Sequence, residues 1–302
     1  MKILCTGGLG HLGSALCYRL AKDGSQITIL DSLLTQRYST LFSFPKENPI
    51  RFIEGDIRTY DLPSICEDMD VVIHLAALTD APSTVGREHE TYEINYIGAL
   101  QVFEAARDAR SFFVMPSTTS VYGVSEGEVD ETCTDLRPQS PYASSKLEAE
   151  RYILTRNYNK AVVLRLGTIY GISMGMRWHT FVNRACWQAA LGQPITIWNT
   201  AMHQKRPYLY LGDFVSAVHH VIEKKLNGLY NVVSQNSTPF DIVSILKKHC
   251  PDLKVQLTTS RLMNLLSYDV SSAKLQATGW TPKGDLATGI AQTMALLGGV
   301  KG

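Results

Sequence analysis

The sequence predicts an α/β protein whose central layer is a doubly wound parallel sheet. Three observations point there. Short, nearly unbroken apolar runs recur through the first half of the chain, as strands do when both faces of a parallel sheet are covered. Segments of helical periodicity separate these runs. The first run, Lys2-Ile3-Leu4-Cys5, passes through Thr6-Gly7-Gly8-Leu9-Gly10-His11-Leu12-Gly13 into a periodic stretch from Ser14 to Leu20. A strand, a glycine turn and a helix start in that order form a dinucleotide site: the chain must turn tightly, let its backbone approach a pyrophosphate, and offer free N–H groups at the positive end of the helix.

The following elements fit the same pattern. Gln26-Ile27-Thr28-Ile29-Leu30 reads as the second strand. It ends at Asp31, about 20 residues past the turn, where a carboxylate can accept hydrogen bonds from an adenosine ribose. Ile50 to Ile57 reads as the third strand and its exit, and Val71-Val72-Ile73-His74-Leu75-Ala76-Ala77 as a fourth strand buried on both faces, its Ala76-Ala77 pair small enough to admit a flat ligand. A helix from about Thr91 to Ala109, a strand Ser111 to Met115, a helix from about Pro141 to Asn157 and a strand Ala161 to Leu166 complete the alternation. Less regular sequence then supplies a smaller, interleaved C-terminal substrate region. The expected division is residues 1–166 and 206–226 for the cofactor domain, and 167–205 and 227–302 for the substrate region.

Composition narrows the class. At 302 residues, 45% hydrophobic and 19% charged, the chain can bury a large core. A net charge of +1 with scattered Lys and Arg lacks the basic face of a nucleic-acid binder. The six cysteines are dispersed without a Cys-x-x-Cys pair and read as free thiols in a cytoplasmic protein. No leader and no apolar run of about 18 residues is found, so no membrane partner is expected. The histidines show no metal-ligand spacing, and no metal is expected.

Ligands of such sheets lie outside the carboxyl ends of the strands, which directs attention to the segments after Ala77, Met115 and Leu166. Pro116-Ser117-Thr118-Thr119-Ser120-Val121-Tyr122-Gly123 is rich in hydroxyls, and Tyr142 with Lys146 follows it. Lys146 shares a helix face with Tyr142, where its charge favours the phenolate and its ammonium can reach a nicotinamide ribose. Tyr142 is then the general base. Tyr18 and Lys22 repeat the spacing, but inside the first helix, where packing explains them. Arg177, Arg206 and Arg261 are candidates to grip a diphosphate with paired hydrogen bonds, and Asn183 is a further substrate candidate.

Together these residues resemble the extended short-chain dehydrogenase/reductases that act on nucleotide-linked sugars. The resemblance spans nearly the whole chain. It rests on the glycine turn, Asp31, Gly55-Asp56-Ile57, His74 to Ala77, Asn95, Ser117-Thr118-x-x-Val121-Tyr122-Gly123, Pro141-Tyr142-x-x-x-Lys146, Leu164 to Gly171, Arg206 to Asp213 and Gly279-Trp280-Thr281-Pro282. It implies a Rossmann-type fold and NAD as cofactor, the latter because no basic residue directly follows Asp31. NAD would be held by Gly7, Gly10, His11, Leu12, Asp31, Ser32, Asp56, Ile57, Leu75, Ala76, Ala77, Asn95, Tyr142 and Lys146. Thr118 and Thr168 would face the sugar of a nucleotide-diphosphate substrate. A homodimer through the helices containing Tyr92 to Arg107 and Leu147 to Arg156 is also implied.

Departures from the family refine the reading. The 4,6-dehydratases carry Asp and Glu where this chain has Thr119 and Ser120, and the sugar-acid decarboxylases commonly carry Glu at the second position, so both reactions lack their carboxylates. Epimerases often have Asn where Thr168 stands. Gly171 to His179 and Tyr268 to Leu275 look like the subgroup containing GDP-heptose 4-dehydrogenases, but Met174-Gly175 and His179 replace its Pro-Arg and acidic residue. The expected activity is an NAD-dependent nucleotide-sugar 4-epimerase. The alternatives are a 4-dehydrogenase or ketoreductase of the same sugars and, from another class, a non-catalytic NAD-binding regulator.

Overall fold

Along each early strand, alternate side chains meet different helices, which makes the sheet the middle of three layers. The computed structural model describes residues 1–125, 127–259 and 268–300. In chain order the first half forms β1 (Lys2–Thr6), α1 (His11–Lys22), β2 (Gln26–Asp31), β3 (Arg51–Glu54), α2 (Leu62–Cys66), β4 (Val71–His74) and α3 (Glu88–Tyr92). A π-helical turn at Glu93–Ile97 then leads to α4 (Gly98–Asp108), β5 (Phe112–Thr118), β6 (Glu128–Val129), α5 (Pro141–Thr155) and β7 (Ala161–Leu166). The second half adds β8 (Thr168–Tyr170), α6 (Phe181–Ala190), β9 (Ile195–Trp198), β10 (Arg206–Tyr210), α7 (Leu211–Glu223), β11 (Gly228–Val232) and β12 (Gln235–Ser237). It closes with α8 (Pro239–His249), β13 (Val255–Thr258), β14 (Asp269–Val270), α9 (Ala273–Gln276) and α10 (Leu286–Leu296).

Seven of these strands form one parallel sheet in the order β11-β7-β5-β4-β1-β2-β3. Ile3, Cys5, Ile29, Ile73 and Val114 pack with Leu16 and Cys17 of α1 and Phe214 and Val218 of α7. Their neighbours Leu4, Leu30, Val72, Phe113 and Val163 pack with Val102, Phe103, Ala149 and Ile153 of α4 and α5. The period-two alternation of the strands is thus spent on two cores, one on each face. From β1 the chain runs outward to β2 and β3, then crosses to β4 and continues the other way. The direction therefore reverses between β1 and β4, and a crevice opens at their carboxyl ends.

Two boundaries differ from the sequence expectation. Gly228–Val232, assigned to the substrate region, is the seventh strand and an edge of the large sheet, while Arg206–Tyr210, assigned to the cofactor domain, pairs with β8 and β12 in a separate three-stranded sheet. The fully buried Asn231 interrupts the apolar run of β11, and Tyr208 and Leu209 give β10 the look of a core strand. The helix expected from Thr91 begins earlier, at Glu88, and carries the π turn at its centre. Among the described residues no helix is long and apolar enough to cross a membrane.

A buried ion pair ties β7 to α5. Arg165 Nε donates to Glu150 at 3.0 Å, its Nη2 bonds the other carboxylate oxygen, and the guanidinium lies 4.8 Å over the Tyr122 ring. Removing one member leaves the other charged and dehydrated, which costs about 3–5 kcal/mol. Arg165→Met should lose stability of that order in urea denaturation, whereas Arg137→Met, whose partner Asp135 is exposed, should leave the unfolding midpoint close to that of the unmodified protein.

Candidate active site

The crevice begins with Gly7. Its φ is +69°, in the left-handed region, and a Cβ there would lie 2.5 Å from the Ala76 nitrogen. This close approach requires glycine and packs the turn directly against the loop after β4. At the junction, Thr6 Oγ1 lies 2.8 Å from His74 Nδ1. His74 is buried, its ring is stacked on Phe113 with centroids 6.4 Å apart, and burial lowers its pKa to about 3. It is a packed strand residue, as its place in an apolar run implies.

Gly10 caps α1 without a side-chain hydrogen bond, leaving the N–H groups of the first turn to a ligand. A Cβ at Gly10 would meet nothing nearer than the Gly7 oxygen at 3.4 Å, so the turn is open on that side. Asp31 Oδ2 accepts from Leu9 N at 3.1 Å and Oδ1 from Leu33 N at 2.9 Å, which aims the carboxylate at the turn. Ser32, beside it, is exposed. Leu12, Leu75, Ala76 and Ala77 are half-buried along the same crevice. Asp56 is gripped by Arg58, whose Nη2 lies at 2.6 Å, and this pair holds the carboxyl below the usual carboxylate range. Ile57 is buried next to Gly98.

Thr118 ends β5 and Tyr142 opens α5. Ser140 Oγ caps that helix on Ala143 N at 3.2 Å, and Pro141 occupies its first position, which fixes where the helix starts. The Thr118 hydroxyl lies near enough to the phenol of Tyr142 to act on it. Burial raises the phenol's pKa, while the Thr118 contact and the positive field of Arg177 oppose that rise. Lys146, one turn on, is 4% exposed and forms no hydrogen bond with the described residues. Burial lowers its pKa to about 8, and the Glu150 carboxylate at the next turn counteracts the shift. Sequence spacing assigned the cation beside the phenol to Lys146. In the structure the cation whose field reaches Tyr142 is Arg177, and the buried ammonium of Lys146 remains available to a polar ligand.

A loop from the second half of the chain packs on the glycine turn. His11 Nε2 donates to Gly171 O at 3.0 Å, Gly175 N to Ser14 Oγ at 3.1 Å, and Arg37 Nη1 to Met176 O at 2.5 Å. Gly175 lies so close that a Cβ would sit 2.4 Å from Leu9 O. The loop ends at Arg177, whose Nη1 bonds Thr79 Oγ1. Asn183, placed by sequence at the substrate, is fully buried: its carboxamide accepts from Gly171 N at 3.2 Å and donates to Arg177 O at 3.0 Å. Each end of the amide thus holds this loop. Asn95 is committed in the same way. It bridges Leu78 N and O, each at 2.8 Å, and Ser145 Oγ at 3.2 Å, turned inward by the π turn.

Thr168 starts β8 and is half-buried, and Arg206 starts β10 with its Nε buried and without a hydrogen-bond partner. An unsatisfied buried guanidinium nitrogen suits an anionic ligand. Arg261 lies outside the described residues. Sequence reasoning missed Arg37, Thr79 and Glu150. Only Glu150 had a signal, its position four residues beyond Lys146; the other two depend on a loop more than 90 residues away. Among the described residues no group of three His, Cys, Asp or Glu side chains is placed to hold a metal.

A family model described as the NAD dependent epimerase/dehydratase family matches residues 3–233. The chain belongs to that family. It is therefore an NAD-dependent enzyme, and the glycine turn, Asp31 and Lys146 fit the cofactor. An uncharacterized UDP-glucose epimerase of Bacillus subtilis, YtcB, is 34% identical over 237 residues, covering 74% of this chain and 73% of that protein. The human dTDP-D-glucose 4,6-dehydratase is 28% identical over 97% of this chain and 89% of its own. A UDP-glucuronic acid 4-epimerase from Bacillus cereus, solved with UDP-glucuronic acid and NAD, superposes with a TM-score of 0.91 at 26% identity, covering 99% of this chain and 100% of the other.

Two outcomes follow. Gly10→Ala should leave thermal stability unchanged but weaken NAD binding at least about tenfold in a fluorescence titration, whereas Gly7→Ala should cost about 2 kcal/mol or more of stability through its left-handed backbone and the Ala76 clash. Burial also lowers the His11 pKa to about 4. Below about pH 6.5 the unfolded chain takes up protons that folded His11 and His74 refuse, so stability falls with pH by up to about 1.4 kcal/mol per unit for each imidazole. His11→Gln should show a shallower decline between pH 6.5 and 4 in urea denaturation.

Proposed function

We propose that the chain is a nucleotide-sugar 4-epimerase acting on a nucleotide-diphosphate sugar through Thr118, Tyr142 and Lys146. The observation that carries this reading is the Thr118–Tyr142 hydroxyl pair at the carboxyl edge of the sheet, beside a glycine turn covered by the loop Gly171 to Arg177. NAD, when bound, supplies an acceptor for hydrogen from sugar C4 and a source for its return. Tyr142 takes the hydroxyl proton as general base and gives it back. Thr118 orients that hydroxyl, Arg177 favours the phenolate, and Lys146 offers its ammonium to the bound cofactor. Arg206 and Arg177 are assigned to the diphosphate and the sugar end of the substrate, with Thr168 on the sugar wall.

Two further features support epimerisation over the related reactions. Thr119 and Ser120 follow Thr118 and supply no carboxylate to remove water. The covering loop makes three hydrogen bonds to the turn and its flank, so exchanging cofactor at every turnover would work against those contacts. A resident cofactor suits a reaction that restores its own oxidation state. The UDP-sugars of the relatives make a uridine nucleotide the first base to test. A homodimer paired through α4 and α5 belongs to the same proposal.

Protein used as purified, with no added NAD, should convert one of a panel of UDP-, GDP-, dTDP- or CDP-sugars to a product of equal mass and new retention. Tyr142→Phe should lower kcat by about 10²–10⁴. A product lighter by two hydrogens, formed only with added NAD, would replace the epimerase with a dehydrogenase, and unchanged turnover in Tyr142→Phe would remove the assigned base.

A further inference from the structure

Residues 171–177 cross the cofactor crevice from side to side. The last two are held by loops on opposite flanks of β1: Arg37, in the loop after β2, donates from Nη1 to Met176 O at 2.5 Å, and Thr79, in the loop after β4, bonds Arg177. In the sheet β1 lies between β2 and β4, so these contacts span the end of the strand from which the glycine turn departs. At the crossing, Gly175 N donates to Ser14 Oγ at 3.1 Å, and a Cβ on Gly175 would stand 2.4 Å from Leu9 O and 2.5 Å from Gly10 O. The segment therefore rests on the turn that a dinucleotide must reach.

One buried amide closes the segment on itself. Asn183 is fully buried near the start of α6, where its Oδ1 accepts from Gly171 N at 3.2 Å and its Nδ2 donates to Arg177 O at 3.0 Å, joining the first and last residues of the crossing. The helix that carries it is a firm post, because Val182, Ala185 and Cys186 pack with Ile195, Tyr208 and Ile242 in a core of their own outside the large sheet. The crossing itself is anchored less deeply, with Ile172 and Met174 both exposed. A segment attached by a handful of hydrogen bonds can lift locally while the cores stay intact.

We propose that residues 171–177 form a latch over the cofactor crevice and that Asn183 is the positioning residue that holds it shut, so that NAD enters and leaves only when the latch lifts. The proposal needs the cofactor alone and is independent of which sugar reaction the site performs. A latch that lifts more often speeds entry and exit together, whereas losing a group that grips NAD speeds exit and leaves entry as it was.

The test uses the full chain loaded with NADH and no sugar. Mixing with excess NAD in a stopped-flow fluorimeter gives the release rate, a fluorescence titration gives Kd, and the two together give the association rate. The proteins compared are wild type, Asn183→Leu, which frees both ends of the latch, Gly175→Ala, whose Cβ props it off Leu9, and the double variant. Each single variant should raise release and association at least about fivefold, as one or two lost hydrogen bonds imply, with Kd changed by less than about threefold. The double variant should exceed the faster single by less than about twofold, because both substitutions act on one element. If Asn183→Leu folds poorly, Ser14→Ala takes its place beside Gly175→Ala. Unchanged rates would overturn the proposal. So would faster release with unchanged association, which would make these residues part of the grip on NAD, or effects that multiply in the double variant. With no sugar present, none of these outcomes touches the epimerase reading, which product analysis decides separately.

Discussion

Everything around the active site hangs on the approach of Gly7 to Ala76. Because no side chain separates them, the turn after β1 and the loop after β4 behave as one surface, and the crevice where the sheet reverses direction has fixed walls. From Ala76 the loop continues to Leu78, clamped by Asn95, and to Thr79, which holds Arg177. Arg177 in turn sends its charge to Tyr142. A backbone contact at the end of the first strand therefore sets the electrostatics of a phenol 135 residues later in the chain.

The site assembles opposing effects on its titratable groups. Burial disfavours charge on both Tyr142 and Lys146, pushing the phenol up and the ammonium down. Left alone, these shifts would produce two neutral groups. Arg177 and Glu150, neither adjacent in sequence, oppose them from different sides. Glu150, at 2% exposure, is bound to Arg165, so the buried pair in the sheet layer reaches the reaction site through one helix turn.

Much of this was legible in the sequence. The glycine turn, Asp31, the hydroxyl loop after Met115 and Tyr142 with Lys146 are local patterns whose spacing carries their physics, and the structure brings them to one edge of the sheet. What escaped reading depends on distant segments. Asn95 entered through the family resemblance and Asn183 as a candidate on a helix, and only the fold reveals the loop contacts that each amide makes. β11 was hidden because a buried Asn interrupts its apolar run, and residues 206–226 were grouped with the cofactor domain because sequence does not say which sheet a strand such as β10 joins. Arg177 illustrates both limits: its type suggested an anion, and its neighbours add an influence on the base.

The contacts that cover the glycine turn join residues 139 to 161 positions apart. They contribute nothing until more than half of the polypeptide has been synthesised, and their late closure raises the contact order of the region that was made first. One core of the sheet is completed by α4 and α5, the other waits for α7, and the turn stays uncovered until the chain returns to it. Loading of the cofactor and completion of the fold are consequently linked in time: the interval before Gly175 settles against Leu9 is when the turn is most accessible, and translation sets the earliest moment at which that interval can end.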